Sequence, residues 1–167
     1  MSRPLFSGLV PPVGGGLGTA FETPSGRDFI ALLEAFRATG GTATGEIVAR
    51  LLEEHQVGNA VSLAKLIYTG QVFSFEWRAK QWIPMFQLDE YLALKVGAQR
   101  VRSELPSLWS GWALAVWFAA PNTRLAGSSP ADMLDSDINA VLHAAQSVHA
   151  PEGFALAQRP HQVAGWA

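Results

Sequence analysis

The segment from Ser110 to Leu134 constrains the fold of this chain more than any other. It reads S-G-W-A-L-A-V-W-F-A-A-P-N-T-R-L-A-G-S-S-P-A-D-M-L. The pattern predicts an aromatic-rich helix that stops at Pro121, followed across a short Gly/Ser link by a second helix that opens at Ser129. The apolar side chains of the first helix can pack or bind, but they cannot transfer a proton or attack a carbonyl. The segment therefore favours a role in packing or in binding a partner.

Composition limits the class of protein. Of the 167 residues, 49% are hydrophobic and 16% are charged, which is typical of a single globular domain. The sequence contains no cysteine, which excludes disulfides and thiolate metal sites and favours a cytoplasmic protein. No apolar run is long enough to span a membrane, and early prolines argue against a signal peptide. With a formal net charge of −2, any contact with nucleic acid must come from a local basic patch.

Four regions are predicted along the chain. Residues 1–26 are rich in glycine and proline and are expected to form a flexible arm. Residues 27–88 are expected to form an N-terminal helical part with one hairpin, residues 89–149 a helical binding domain, and residues 150–167 an apolar tail. The predicted fold class is therefore mainly α, a helical bundle with one small β-hairpin.

Cap residues and hydrophobic periodicity predict the positions of the helices. Ser25 and Asp28 have the spacing of a capping box, and a second helix is expected near Thr44 with Ile47 facing inward. The chain is predicted to be helical from Asp89 to Leu105, in a helix that carries Val96, Val101 and Leu105 and that Pro106 terminates. The remaining caps are expected at Asn59 or Ser62, at Ser107 or Ser110, at Ser129 and at Asp137.

A change of hydrophobic period after Gly70 predicts a β-hairpin. The first strand is expected within residues 72–77 and the second within residues 82–86, with a turn at residues 79–81. Pro84 marks either an edge strand or the end of a strand.

Two short helices followed by a hairpin have the order of a winged helix-turn-helix unit. In that interpretation one helix and the hairpin tip would contact the phosphates of DNA and could reach a base edge. The alternative is a small α/β packing unit with a solvated basic turn, and the residues alone leave both open. The candidate DNA-binding residues are Lys65, Tyr68, Arg78, Lys80 and Gln81.

Catalytic or metal-binding chemistry is not indicated by the spacing of the reactive side chains. His143 and His149 are six residues apart, which does not place them on one helix face. The aspartates at positions 132, 135 and 137 lack the glycine and the final glutamate of a calcium loop. The Gly14–Gly18 run follows no predicted strand and lacks the ending of a phosphate loop. We therefore expect a protein that is not an enzyme and that holds no cofactor or metal.

Three segments resemble a known family. They are W-I-P-M-F-Q-L-D at Trp82–Asp89, the motif P-N-x-x-L-x-G-x-x-P-x-D-x-L at Pro121–Leu134 with the aromatic helix before it, and V-L-H-A-A at Val141–Ala145. Together they resemble the C-terminal toxin-binding domain of Xre/MbcA/ParS-type antitoxins, over roughly residues 60–146. The resemblance implies a type II antitoxin that occludes a RES-domain toxin, an NAD-depleting protein, and that represses its own operon by binding operator DNA. It also favours a homodimer.

The resemblance implies roles for individual residues. Those that match the structural motif are Pro121, Asn122, Leu125, Gly127, Pro130, Asp132 and Leu134. The toxin-binding residues that it implies are Arg124, Leu125, Asp132, His143 and Gln146. The N-terminal half does not carry the helix-turn-helix signature of the Xre kind, and a winged unit would take its place.

Overall fold

The computed structural model describes residues 23–55 and 62–149. Within these residues the chain forms seven α-helices and one antiparallel sheet of three strands. The elements are α1 (Gly26–Phe36), β1 (Thr42–Thr44), α2 (Gly45–His55), α3 (Leu63–Tyr68), β2 (Phe75–Trp77), β3 (Lys80–Pro84), α4 (Val96–Glu104), α5 (Gly111–Ala119), α6 (Pro130–Met133) and α7 (Ile138–Gln146). The prediction of a mainly α fold with a small β element is confirmed. The predicted C-terminal tail, and residues 1–22 of the predicted arm, lie outside the described residues.

The sheet differs from the predicted hairpin in two ways. A third strand, β1, pairs with β3, so that the strand order is β1-β3-β2 and β3 is central. The turn between β2 and β3 consists of Arg78 and Ala79 and not of residues 79–81, because Trp77 pairs directly with Lys80. Pro84 ends the central strand opposite Thr42, so the edge-strand interpretation is wrong and the strand-end interpretation is confirmed.

Both faces of the sheet are covered by helices. Side chains alternate along a strand, so Phe75 and Trp82, which pair across the strands, lie on the same face. This face packs against Phe29 of α1 and Trp112 of α5. Ile83 lies on the other face, in a second cluster formed with α2 and α3. Burial on both faces explains why such short strands are held in place.

One hydrophobic core joins the two predicted halves of the chain. The ring of Phe118 in α5 lies 4.7 Å from that of Phe86 and 5.6 Å from that of Phe73, measured between centroids. The same buried cluster extends to Val101 of α4 and Val141 of α7. The segments before and after residue 88 therefore pack as one unit.

The predicted helix caps are present. The Ser25 backbone N–H donates to the Asp28 carboxylate over 2.7 Å, and the Asp28 N–H donates back to Ser25 Oγ over 3.2 Å, which completes the capping box. Ser62 caps α3, while Asn59 lies outside the described residues. The side chains of Ser110, Ser129 and Asp137 likewise accept backbone N–H groups at the starts of α5, α6 and α7.

The prediction of helix between Asp89 and Lys95 is wrong. Asp89 Oδ1 accepts hydrogen bonds from the N–H groups of Tyr91 and Ala93, both over 2.9 Å, and this side-chain turn competes with helix formation. The helix begins at Val96, which is 66% exposed, and Ala98 and Val101 form the buried face of α4. Ile47 is likewise 50% exposed, since Val48 and Leu52 form the buried face of α2.

None of the helices in residues 23–55 and 62–149 combines the length and the apolar character needed to cross a membrane.

Candidate partner-binding and nucleic-acid-binding surfaces

The connection between α5 and α6 is closed by hydrogen bonds around Asn122. Its N–H donates to the carbonyl of Ser128 over 3.0 Å, and its carbonyl accepts from the N–H groups of Leu125 and Gly127. Its side-chain Oδ1 accepts from the N–H of Arg124 over 2.9 Å. Because a single residue satisfies four backbone groups, the path from one helix to the next is fixed.

Serine and aspartate fix the start of α6. Ser129 is buried, and its hydroxyl donates to the Asp132 carboxylate over 2.8 Å while it accepts from the Asp132 N–H over 3.2 Å. Pro130, at the first turn, is also buried. Asp132 is exposed at the surface, so one carboxylate both caps this helix and faces solvent.

Most of the predicted toxin-binding residues are exposed. Arg124 lies in the turn Thr123–Leu125, which packs against α7, and His143 and Gln146 lie on the outer side of that helix. Val141 and Ala145 of α7 are buried on the inner side. The structure thus places these exposed polar side chains on elements that contact one another. We name this surface, comprising Arg124, Asp132, His143 and Gln146, the C-terminal polar surface.

Leu125 does not belong to that surface. Its side chain is only 4% exposed and lies in the main hydrophobic cluster. The prediction that Leu125 contacts a partner is therefore corrected: in this conformation it anchors the turn that carries Arg124. The spacing of the motif identifies Leu125 as a motif residue. It does not show whether the side chain is buried to hold the turn or exposed to contact a partner.

An ion pair between Lys95 and Asp135 lies close to Asp132 of this surface. Lys95 Nζ lies 2.8 Å from Asp135 Oδ2, which joins the start of α4 to the connection between α6 and α7. The two residues, with Asp132 and Phe86, line an open cleft of about 310 Å³. Burial lowers the pKa of Arg102 on α4, but a guanidinium stays protonated at any pH that a protein meets.

The histidine and acidic side chains of the described residues do not gather into a metal-binding cluster. His149 Nε2 lies 2.7 Å from the carbonyl of Glu104, so one ring nitrogen is occupied by the main chain. Within residues 23–55 and 62–149, three or more histidine or acidic side chains nowhere converge as metal ligands would.

The N-terminal elements combine three helices with the three-stranded sheet. Their chain order is α1-β1-α2-α3-β2-β3, and the first strand joins the hairpin beside its second strand. This third strand is a feature that the sequence interpretation did not include. It places α3 and the hairpin on the same body, with an open groove of about 410 Å³ between α2, the start of α3 and the hairpin tip.

The five candidate DNA-binding residues are all exposed. On α3, Lys65 is exposed and Tyr68 is 92% exposed. Arg78 occupies the turn, and Lys80 lines the groove at the start of β3. Gln81 is partly engaged, since its side-chain amide donates to Ser74 Oγ over 2.9 Å. The opposite wall of the groove carries Glu46, so basic and acidic groups share this region.

An aromatic cluster beneath the hairpin was not predicted. The ring of Trp77 stacks on that of Phe29 at 5.0 Å with an interplanar angle of 8°, and Trp112 lies 6.2 Å from Trp77. The guanidinium carbon of Arg78 lies 5.5 Å from the centre of the Trp77 ring. These residues come from α1, β2 and α5, so local sequence patterns could not bring them together. The only local signal is a tryptophan next to an arginine, just before the predicted turn.

No family model matches this chain, and neither a curated protein nor a solved structure is significantly similar to it. The fold defines a class only: a mainly α-helical protein with a small three-stranded antiparallel sheet.

Proposed function

We propose that this protein is the antitoxin of a type II toxin–antitoxin system and that it binds a RES-domain toxin. The proposal rests on the family resemblance of three segments in residues 82–145. The observation that carries it is the connection around Asn122: the motif residues close the turn and bury Leu125, while the adjacent Arg124 remains exposed. A motif that builds a rigid turn beneath exposed polar groups is suited to presenting a binding surface.

The proposed mechanism is steric occlusion. The C-terminal polar surface would bind at the toxin and block access to its NAD-binding cleft, so the antitoxin needs no catalytic group and no cofactor. Arg124 would be the main anchor, because arginine forms bidentate hydrogen bonds with carboxylates and is enriched at interface hot spots. A stable complex would bury about 1,200–2,000 Å² in total, which exceeds what these four side chains cover, so neighbouring elements would contribute. We place this activity in the cytoplasm and expect a homodimer.

The test is co-expression with the product of the adjacent gene, which the proposal expects to be a RES-domain protein. The expected result is co-purification, with restored growth and restored cellular NAD. Arg124→Glu should weaken the complex by at least tenfold, because the complex would bury a charge of the wrong sign. Arg100→Glu on α4 makes the same charge change at another exposed position and should leave binding intact. Failure of the wild-type protein to bind the toxin would refute the proposal.

A second proposed function is DNA binding by the winged unit. The strand order β1-β3-β2 supports it, as does the apolar cluster that joins α2 and α3 to Ile83 of the hairpin. The basic residues between positions 50 and 80 are only Arg50, Lys65, Arg78 and Lys80. Affinity from so few phosphate contacts would be modest and strongly dependent on salt. In an antitoxin this activity would repress the operon; without a toxin partner it would make the protein a transcriptional regulator.

A gel shift with the DNA upstream of its own gene tests this second function. Binding should weaken steeply as the salt concentration rises, and the double variant Lys65→Glu, Lys80→Glu should abolish it. Toxin binding by the same variant should be unchanged, which separates the two functions. If the wild-type protein does not shift DNA at low salt, the DNA-binding function is excluded and the antitoxin proposal stands on the toxin complex alone.

A further inference from the structure

The turn of the hairpin has an unfavourable backbone conformation for its sequence. Arg78 and Ala79 both adopt left-handed conformations, with φ of 49° and 58°. Two-residue turns of this kind favour asparagine or aspartate followed by glycine, because a side chain in the left-handed region costs about 1 kcal/mol or more. The chain therefore carries strain at the tip of the hairpin, where Asn-Gly would be more stable.

The side chain at the strained position is held in place by an aromatic ring. The guanidinium of Arg78 lies over the ring of Trp77, and that ring in turn stacks on Phe29. An arginine that stacks on an aromatic ring keeps its charge and its planar set of donors while it loses conformational freedom. Strained residues that persist in folded proteins are concentrated at functional sites.

We infer that Arg78 is a phosphate-binding residue at the tip of the hairpin and that Trp77 is the residue that positions it. This inference rests on the proposed DNA-binding function and deepens it by assigning Trp77 to hold the Arg78 guanidinium for a phosphodiester of duplex DNA. The phosphate of DNA fits this site because a planar guanidinium binds two phosphate oxygens at once. Lys80, paired with Trp77 across the hairpin, adds a second positive charge beside it.

Phosphate contacts have a recognisable signature in binding experiments. Each phosphate that a cation neutralises adds about 0.9 to the slope of log affinity against log salt concentration. Contacts to phosphate also act equally on any sequence, whereas contacts to bases do not. Arg78→Gln should therefore reduce the slope by about one and the affinity by about five- to tenfold at physiological salt, for both the DNA upstream of the gene and an unrelated duplex.

The positioning role is tested with two tryptophan variants. Trp77→Leu removes the ring and should reproduce the loss of slope seen for Arg78→Gln, whereas Trp77→Phe keeps a ring and should retain most of the slope. Circular dichroism checks that each variant is folded. If Trp77→Leu is folded and binds DNA with the wild-type slope, Trp77 does not position Arg78. Because Arg78 is exposed, we expect Arg78→Gln to fold, so its salt slope tests the phosphate contact even if Trp77→Leu does not fold.

Melting temperature tests the strain independently of DNA. Ala79→Gly relieves the left-handed residue without touching Arg78, so it should raise the melting temperature and leave the salt slope unchanged. Arg78→Asn should also raise the melting temperature, but it should reduce the slope of log affinity against log salt concentration as Arg78→Gln does. If neither variant is more stable than wild type, the turn stores no strain and that part of the inference is wrong.

Three binding outcomes would overturn the assignment and are distinguishable. A loss confined to the DNA upstream of the gene would make Arg78 a base-reading residue. A loss of toxin binding with no change in DNA binding would place the hairpin tip against an acidic protein surface. Absence of DNA binding by the wild-type protein would remove the DNA-binding function and this inference together, while leaving the toxin complex unaffected.

Discussion

The side chain of Gln87 pairs with both backbone groups of Phe73. Gln87 Oε1 accepts from the Phe73 N–H over 2.8 Å, and Gln87 Nε2 donates to the Phe73 carbonyl over 2.9 Å. The same amide nitrogen donates to the carbonyl of Pro84 over 3.0 Å. Gln87 is 4% exposed, so it satisfies buried backbone groups that would otherwise lack partners. It adds a pair of hydrogen bonds to the backbone just before β2 begins.

Replacement of Gln87 by leucine should strongly destabilise the fold. Leucine has a similar volume but no polar atoms, so the Phe73 N–H and carbonyl would be buried without partners. Each unsatisfied group costs about 1–3 kcal/mol, so we expect a loss of about 2–5 kcal/mol in the free energy of unfolding. Urea denaturation measures it. Gln71→Leu is the matched control at an exposed position and should change stability by less than about 0.5 kcal/mol.

A side chain at Gly111 would collide with the sheet. A Cβ atom built on this residue overlaps the carbonyl oxygen of Ser74, which is backbone and cannot rotate away. Gly111→Ala should therefore separate α5 from β2 and cost about 1–3 kcal/mol or more. Gly26→Ala is the control, because its Cβ would meet no atom within 4 Å in the first turn of α1. If the two alanine variants melt at the same temperature, the close approach of α5 is wrong.

The helices were more predictable than the sheet, for physical reasons. The caps at Ser25, Ser110 and Ser129 depend on residues three positions apart, so the sequence shows them directly. Strand β1 has only three residues, and its pairing with β3 brings Thr42 next to Pro84. Because Thr42 and Pro84 are far apart in the sequence, their pairing leaves no local sequence pattern. For this reason the third strand was not predicted.

The candidate surfaces were predicted by residue type but not by environment. Exposure of Arg124 and His143 follows from the polar positions of amphipathic elements. Leu125 occupies the same motif, yet it is buried, because the turn folds back onto α7. The stack of Trp77 on Phe29 joins β2 to α1 and depends on tertiary packing alone.

The closed turn at Asn122 should depend on a glycine that follows it. Gly127 has φ of 85°, in the left-handed region, and its N–H donates to the Asn122 carbonyl. Gly127→Ala meets no steric contact within 4 Å, so its cost comes from the backbone conformation alone, about 1–2 kcal/mol. Thermal melting measures the loss. Gly127→Asn should cost less, since asparagine tolerates this region better than alanine does. Equal losses for the two variants would contradict this account.

Leu125 and Arg124 should separate stability from partner binding. Leu125→Ala removes a buried side chain from the main core and should lower the free energy of unfolding by about 2–5 kcal/mol. Arg124→Ala, at the adjacent exposed position, should change stability by less than about 0.5 kcal/mol. Toxin affinity should respond in the opposite order when both variants are folded. Arg124→Ala should weaken the complex more than Leu125→Ala does, because Leu125 acts on the toxin only through the position of the turn. Urea denaturation measures the free energy of unfolding, and titration calorimetry with the purified toxin measures the affinity.

If Arg124→Ala binds the toxin like wild type, Arg124 is not an anchor of the C-terminal polar surface. If Leu125→Ala is as stable as wild type, its burial does not hold the turn.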